Sequence, residues 1–85
     1  MKGRNEMNRE EIFEELNTVF RDVFGDDDIV VTDETTSSDI DGWDSLMHIT
    51  LISEVESHFD IRFQMKDVIG MKNVGEMVDI IEENA

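Results

Sequence analysis

Ser45 is the residue with the clearest chemical opening. It stands in Asp44-Ser45-Leu46, where an apolar periodicity of helical type begins. Asp44 suits an N-cap, which puts Ser45 at the first helical position. Free backbone N–H groups and the positive end of the helix dipole lie there. A hydroxyl at that place is exposed, and a phosphate joined to it meets a favourable field. Serine also occurs at helix starts for local reasons alone. Nucleophilic catalysis of the hydrolase kind needs more: an elbow of the form G-x-S-x-G on a strand-to-helix turn. The chain reads Trp43-Asp44-Ser45-Leu46-Met47, without those glycines. His48 falls about a turn along the same helix, and nothing orients it or His58 as a base. Both read as ordinary, partly exposed histidines.

Metal chemistry fares no better. An EF-hand loop needs a carboxylate at its first position and a bidentate Glu at its last. With Gly42 as its central glycine, those places fall to Ser37 and His48. Asp26, Asp27, Asp28, Asp39 and Asp41 read as solvated acids, a loose divalent-cation site being the alternative. There is no cysteine, hence no disulfide framework and no zinc-thiolate centre. Neither a metal site nor catalytic residues are expected.

The elements that position Ser45 follow from apolar spacing. Asn8 and Glu11 make a capping-box start. Ile12, Phe13, Leu16, Val19, Phe20, Val23 and Phe24 then recur at helical spacing up to Gly25. Residues 26–43 form a long polar loop with Ile29, Val30, Val31 and Ile40 as apolar anchors and Trp43 packed on the bundle. Residues 29–32 could pass for a short strand, but no partner strand exists. A loop of this length in a compact domain is usually functional.

The second helix begins at Asp44 and runs to about Phe59. Leu51, Ile52, Val55 and Phe59 share its inward side, flanked by Met47 and Ile49. Thr50, Ser53, Glu54 and Ser57 face outward, and Leu46 falls on that polar side. An exposed leucine beside a candidate site reads as a partner contact or as an ordinary surface residue. Residues 64–69 make a short helix ending at Gly70. Asn73 with Glu76 is a second capping box, opening a last helix with Val74, Met77, Val78, Ile80 and Ile81 inward. The fold class is all-α: three main helices plus a short one before the last, with the long loop between the first two. Residues 1–7 read as a flexible leader and 8–85 as a single domain.

Composition bounds the partners. The 85 residues hold 22 acidic and seven basic side chains, a formal charge of −15. Such a surface repels nucleic-acid phosphates and anionic membranes. It suits basic patches on partner proteins, or serves solubility alone. No apolar run approaches the roughly 20 residues of a membrane span, and no targeting segment is legible. A cytoplasmic monomer is expected.

The stretch Gly42-Trp43-Asp44-Ser45-Leu46 resembles the phosphopantetheine attachment motif of acyl carrier proteins. The likeness continues through Leu46, Ile49, Leu51, Val55, Glu56, Phe59 and Asp60, then through 63–70 and Met71-Lys72-Asn73-Val74. It covers residues 8–83. The resemblance implies an acyl-carrier-like bundle whose Ser45 receives 4′-phosphopantetheine from coenzyme A. A separate Mg²⁺-dependent phosphopantetheinyl transferase would catalyse that attachment. The protein would then be a non-catalytic carrier, holding acyl groups as thioesters for acyl-loading, condensing or acyl-transferring enzymes with basic docking patches. The absence of cysteine fits, because the working thiol comes with the cofactor. Asp44, Leu46, Met47, Thr50, Ser53, Glu54 and Ser57 would form the recognition face for transferase and partners.

Trp43 departs from the small residue usual in carriers of ordinary fatty-acid synthesis. The outer face of the second helix is also less acidic than theirs. Gly42-Trp43-Asp44-Ser45-Leu46 is more similar to carriers of polyketide, nonribosomal-peptide or other specialised pathways. D-alanyl carriers usually have Phe after the serine, where this chain has Leu46. The rival reading is an acidic helical interaction module that is never modified.

Overall fold

A computed structural model describes residues 8–84. The leader expected at 1–7 lies outside the described residues, as does residue 85. Among the described residues the chain is all-helical, without a strand. It runs α1 (Arg9–Phe24), a 3₁₀ turn (Ser37–Asp39), α2 (Ser45–Phe59), α3 (Met65–Gly70) and α4 (Val74–Asn84).

α1 starts where its capping signal lies. Asn8 Oδ1 accepts the Glu11 N–H at 2.8 Å, and Glu11 Oε1 accepts the Asn8 N–H at 3.1 Å. Two otherwise orphan donors are thereby satisfied. The helix closes at Gly25, and the Asp26 N–H reaches back to the Arg21 carbonyl at 3.1 Å. Ile12, Leu16, Val19 and Phe20 bury the inward arc; Phe13, Val23 and Phe24 pack at its edges.

Residues 29–32 form no strand, and their burial alternates as along an extended chain, with α1 side chains taking the backbone. Arg21 Nε donates to the Ile29 carbonyl at 2.8 Å. Asn17 Oδ1 accepts the Val31 N–H at 2.7 Å. Successive side chains of an extended segment point to opposite sides. Val31 is therefore buried while Val30 is 67% exposed, and Val30 is not the anchor expected from sequence. Ile29 and Ile40 do pack against the core. The 3₁₀ turn, not anticipated, is closed by Asp39 Oδ2, which accepts the Thr36 N–H at 2.9 Å.

The loop also caps α4. The Thr35 carbonyl accepts the Val74 N–H at 2.8 Å, and the Asp33 carbonyl accepts the Gly75 N–H at 3.0 Å. These are first-turn donors that would otherwise be orphaned. The approach demands glycine: a Cβ on Gly75 would lie 2.9 Å from the Asp33 carbonyl oxygen. Arg9 closes the same junction, donating to Asp33, to Asp79 at 2.9 Å and to Glu82 at 2.8 Å. The hydrogen bond to Asp33 raises the guanidinium pKa, so Arg9 is held charged. Asn73 Oδ1 accepts the Glu76 N–H at 2.9 Å as expected. The Glu76 carboxylate instead turns back to the Lys72 N–H at 2.9 Å, one residue earlier than a regular capping box.

α2 buries Leu51, Ile52, Val55 and Phe59 against α1 and α4. Ile49, expected beside them, is 66% exposed; on the wheel it lies about 60° beyond Ile52, outside the core arc. α3 has no buried residue and no side-chain cap; only Val68 packs on the core.

Candidate functional site

The turn into α2 is shaped by Gly42, whose φ of 89° favours glycine. It drives Trp43 into the core, edge-on to Phe20 at 5.2 Å and tilted against Phe24 at 6.2 Å. Trp43 thus anchors the loop, as its sequence position suggests. Asp44 follows in extended conformation, and its Oδ1 accepts the Met47 N–H at 2.9 Å. The Asp44 carbonyl accepts the His48 N–H at 2.8 Å. Among the described residues no protein group takes the N–H of Ser45 or Leu46. Ser45 is exposed at the first position of α2, at the dipole's positive end.

A groove of about 800 Å³ opens beside Ser45, between α2 and α3. Ile49, Ile52, Phe63, Val68 and Met71 give it apolar walls; Ser45, Asp44 and Ser53 stand at its polar side. Glu56 fixes the wall residue Phe63, its Oε2 accepting the Phe63 N–H at 2.8 Å.

His48 is not the ordinary surface histidine expected from sequence. Trp43 Nε1–H donates to its Nδ1 at 3.0 Å, and the two rings stack at 5.9 Å. Nδ1 must therefore be bare, so Nε2 carries the proton and donates to the Val68 carbonyl at 3.2 Å. These partners assign the neutral Nε2–H tautomer. His48 joins the loop, α2 and α3. Both ring nitrogens are occupied, so neither is left to take a proton from Ser45. The signal lay in the sequence: His48 precedes Leu51 and Ile52 by three and four residues, on their side of the helix.

The expected recognition face is divided. Asp44, Ser45 and Ser53 meet at the groove, with Leu46 beside it, 74% exposed. Thr50 is exposed between the two sides. Glu54 and Ser57 line a smaller depression of about 170 Å³ against α1, together with His58. His58 is not free either; its Nε2 meets Glu15 Oε1 at 2.6 Å, tying α2 to α1. Met47 is half-buried and does not line the groove. Sequence reasoning missed Met65 and Ile69 of α3, which line it while remaining largely exposed. Among the described residues no three carboxylate or imidazole groups converge as metal ligands. Asp26 and Asp39 instead accept backbone N–H groups within the loop.

A family model described as "Phosphopantetheine attachment site" matches residues 14–81. The chain belongs to the acyl carrier protein family. An acyl carrier protein of Streptococcus pneumoniae serotype 4 is 36% identical over 74 residues, 87% of this chain and 96% of that one. An acyl carrier protein of Thermotoga maritima is 33% identical over 75 residues, 88% of this chain and 93% of its own. A solution structure of a holo acyl carrier protein from Geobacter metallireducens superposes with a TM-score of 0.80 at 43% identity. That match covers 85% of this chain and 83% of the other. The all-helical fold is that of the carriers. The cofactor of this carrier domain is covalently attached 4′-phosphopantetheine. The protein is a carrier, not a catalyst; a phosphopantetheinyl transferase and acyl-handling enzymes are its partners. Among the described residues no helix is long and apolar enough to cross a membrane.

Proposed function

We propose that Ser45 Oγ holds the 4′-phosphopantetheine arm and that the protein shuttles acyl groups in a specialised lipid or polyketide-type pathway. The observation that carries this reading is Ser45's place, exposed at the N-terminus of α2 and at the mouth of an apolar groove. A phosphodiester on this hydroxyl fits the site. The unpartnered N–H groups of Ser45 and Leu46 and the helix dipole favour its negative charge. Asp44 pre-forms the helix start by capping Met47. When bound, the arm supplies a thiol that carries the acyl group as a thioester. The groove offers that acyl chain apolar walls within reach of the attachment point.

Trp43 in the motif and an α2 outer face with Glu54 as the one exposed carboxylate of the helix support a specialised pathway over ordinary fatty-acid synthesis. A formal charge of −15 opposes self-association and supports a monomer. Incubation with coenzyme A, Mg²⁺ and a broad-specificity phosphopantetheinyl transferase, followed by intact mass, tests the reading. The wild type gains one phosphopantetheine and Ser45→Ala gains none. A folded wild type that gains nothing under any transferase would leave an unmodified interaction module.

A further inference from the structure

Two histidines stand on the two flanks of α2, and an added proton acts on them in opposite ways. His58 faces α1, with Nε2 2.6 Å from Glu15 Oε1. Asp22 and Glu54 line the same depression, so the charged groups around this ring are carboxylates. Glu15 can only accept, so Nε2 carries a proton in either charge state of the ring. A second proton, on Nδ1, turns the contact into an ion pair and leaves its geometry intact. His48 faces the loop and α3. Its Nδ1 accepts the Trp43 Nε1–H at 3.0 Å, and its Nε2–H donates to the Val68 carbonyl at 3.2 Å.

Protonation of His48 breaks a bond instead. The proton comes from solvent and takes the Nδ1 lone pair that the Trp43 N–H uses. Two donors then face each other at 3.0 Å, and indole nitrogen has no lone pair to offer. The contact must open. Nε2–H is unchanged, and its bond to the Val68 carbonyl becomes charge-assisted. Trp43 is 9% exposed, and among the described residues its N–H has no second acceptor. An N–H left unpaired at that depth is costly unless water reaches it. The turn at Gly42, Trp43 and Asp44 therefore loosens directly before Ser45. The charged groups nearby do not bar the proton. Asp44 and Glu56 line the groove beside His48, and Lys72 lines it as well. Asp41 lies two residues before Trp43 on the loop, and Lys66 and Asp67 precede Val68 on α3. Four carboxylates against two ammonium groups leave an imidazolium in a net negative field.

We propose that His48 is a proton-operated latch between α2 and the turn that leads into Ser45, closed when the ring is neutral and opened by acid. Opening frees Trp43 and the turn 42–44. α3 stays tied to α2 through the Val68 carbonyl, and α1 stays tied to α2 through Glu15 and His58. The latch works with or without an arm on Ser45, so it goes beyond the carrier reading and stands or falls separately from it.

The test follows the full nitrogen-labelled chain by NMR from about pH 8 to about pH 5, the range in which histidine charge commonly changes. Long-range proton–nitrogen correlations report the His48 tautomer, and the Trp43 indole resonance reports its bond. At the upper pH His48 should carry its proton on Nε2 alone. As it gains the second proton, the Trp43 indole resonance should shift in step. Exchange of that N–H with solvent, corrected for the intrinsic effect of pH, should rise about fivefold, as loss of one hydrogen bond implies. Amides of 65–70 should keep their protection. His48→Asn, whose amide oxygen accepts but gains no proton, should change less than about twofold over the same range. His58→Gln should keep the wild-type response. The wild-type tautomer and the coincidence of the two titrations decide the matter even where His48→Asn folds poorly. An Nδ1–H tautomer at the upper pH would overturn the proposal. So would a His48 that gains its proton while the Trp43 resonance stays still, or one that stays neutral down to the lower pH. An equal Trp43 response in folded His48→Asn would also overturn it, by placing the effect of acid on the carboxylates.

Discussion

The two flanks of α2 are built on different terms. Toward α1 and α4 it buries Leu51, Val55 and Phe59 in the core. On that flank the loop is stitched down by Asn17, Arg21 and Arg9. Toward α3 it meets a six-residue helix with no buried residue, joined to it by His48 and lying across a groove. The first flank spends its side chains on holding the fold. The second leaves them exposed, as surfaces that meet other molecules must be. A carrier needs both: a frame that keeps Ser45 in place, and a neighbouring wall that can yield to cargo or partner.

The largest test of this contrast is Leu51→Ala against Ile69→Ala. Leu51 is fully buried, and its truncation should cost about 2–5 kcal/mol in urea denaturation. Ile69→Ala should stay within about 0.5 kcal/mol, as surface changes do. Equal losses would mean that α3 belongs to the core after all. Next comes Gly75→Ala. Its new Cβ would meet the Asp33 carbonyl at 2.9 Å, so the loop must move off α4 at a cost of about 1–3 kcal/mol. An unchanged melting temperature would show that the loop yields freely.

His48→Ala sharpens the comparison from the other flank. It removes the bonds to Trp43 and to Val68, worth about 1 kcal/mol each. The loss should be local. Amides of 65–70 should exchange faster, and the emission of Trp43, the single tryptophan, should shift to longer wavelength. Faster exchange throughout α1 would make His48 a support of the whole core. A smaller loss than that of His48→Ala should come from Arg9→Gln. Its ion pairs are partly exposed, so the cost should be about 1 kcal/mol at low salt and should shrink as salt rises.

Much of the frame was legible in the sequence because its signals are local. The Asn8–Glu11 capping box, the seven apolar positions of α1 and the Asp44 N-cap each lie within one helix. The motif around Ser45 was legible for the same reason. Misreadings came where a distant segment decides. Val30 and Val31 are equally apolar, and the Asn17 and Arg21 side chains of α1 fix which one turns inward. Ile49 sits about 60° beyond Ile52, at the edge of the apolar arc, and is left 66% exposed beside the groove. His48 looked free because its partners, Trp43 and the Val68 carbonyl, are joined only by the fold.

The central claim is that Ser45, and no other hydroxyl, carries the arm. Peptide mapping of the transferase-treated protein by tandem mass spectrometry tests it most directly. The account predicts one phosphopantetheine, on the peptide containing Ser45 and localised to that residue. The same group found on Ser37, Ser38, Ser53 or Ser57, with Ser45 unmodified, would contradict it.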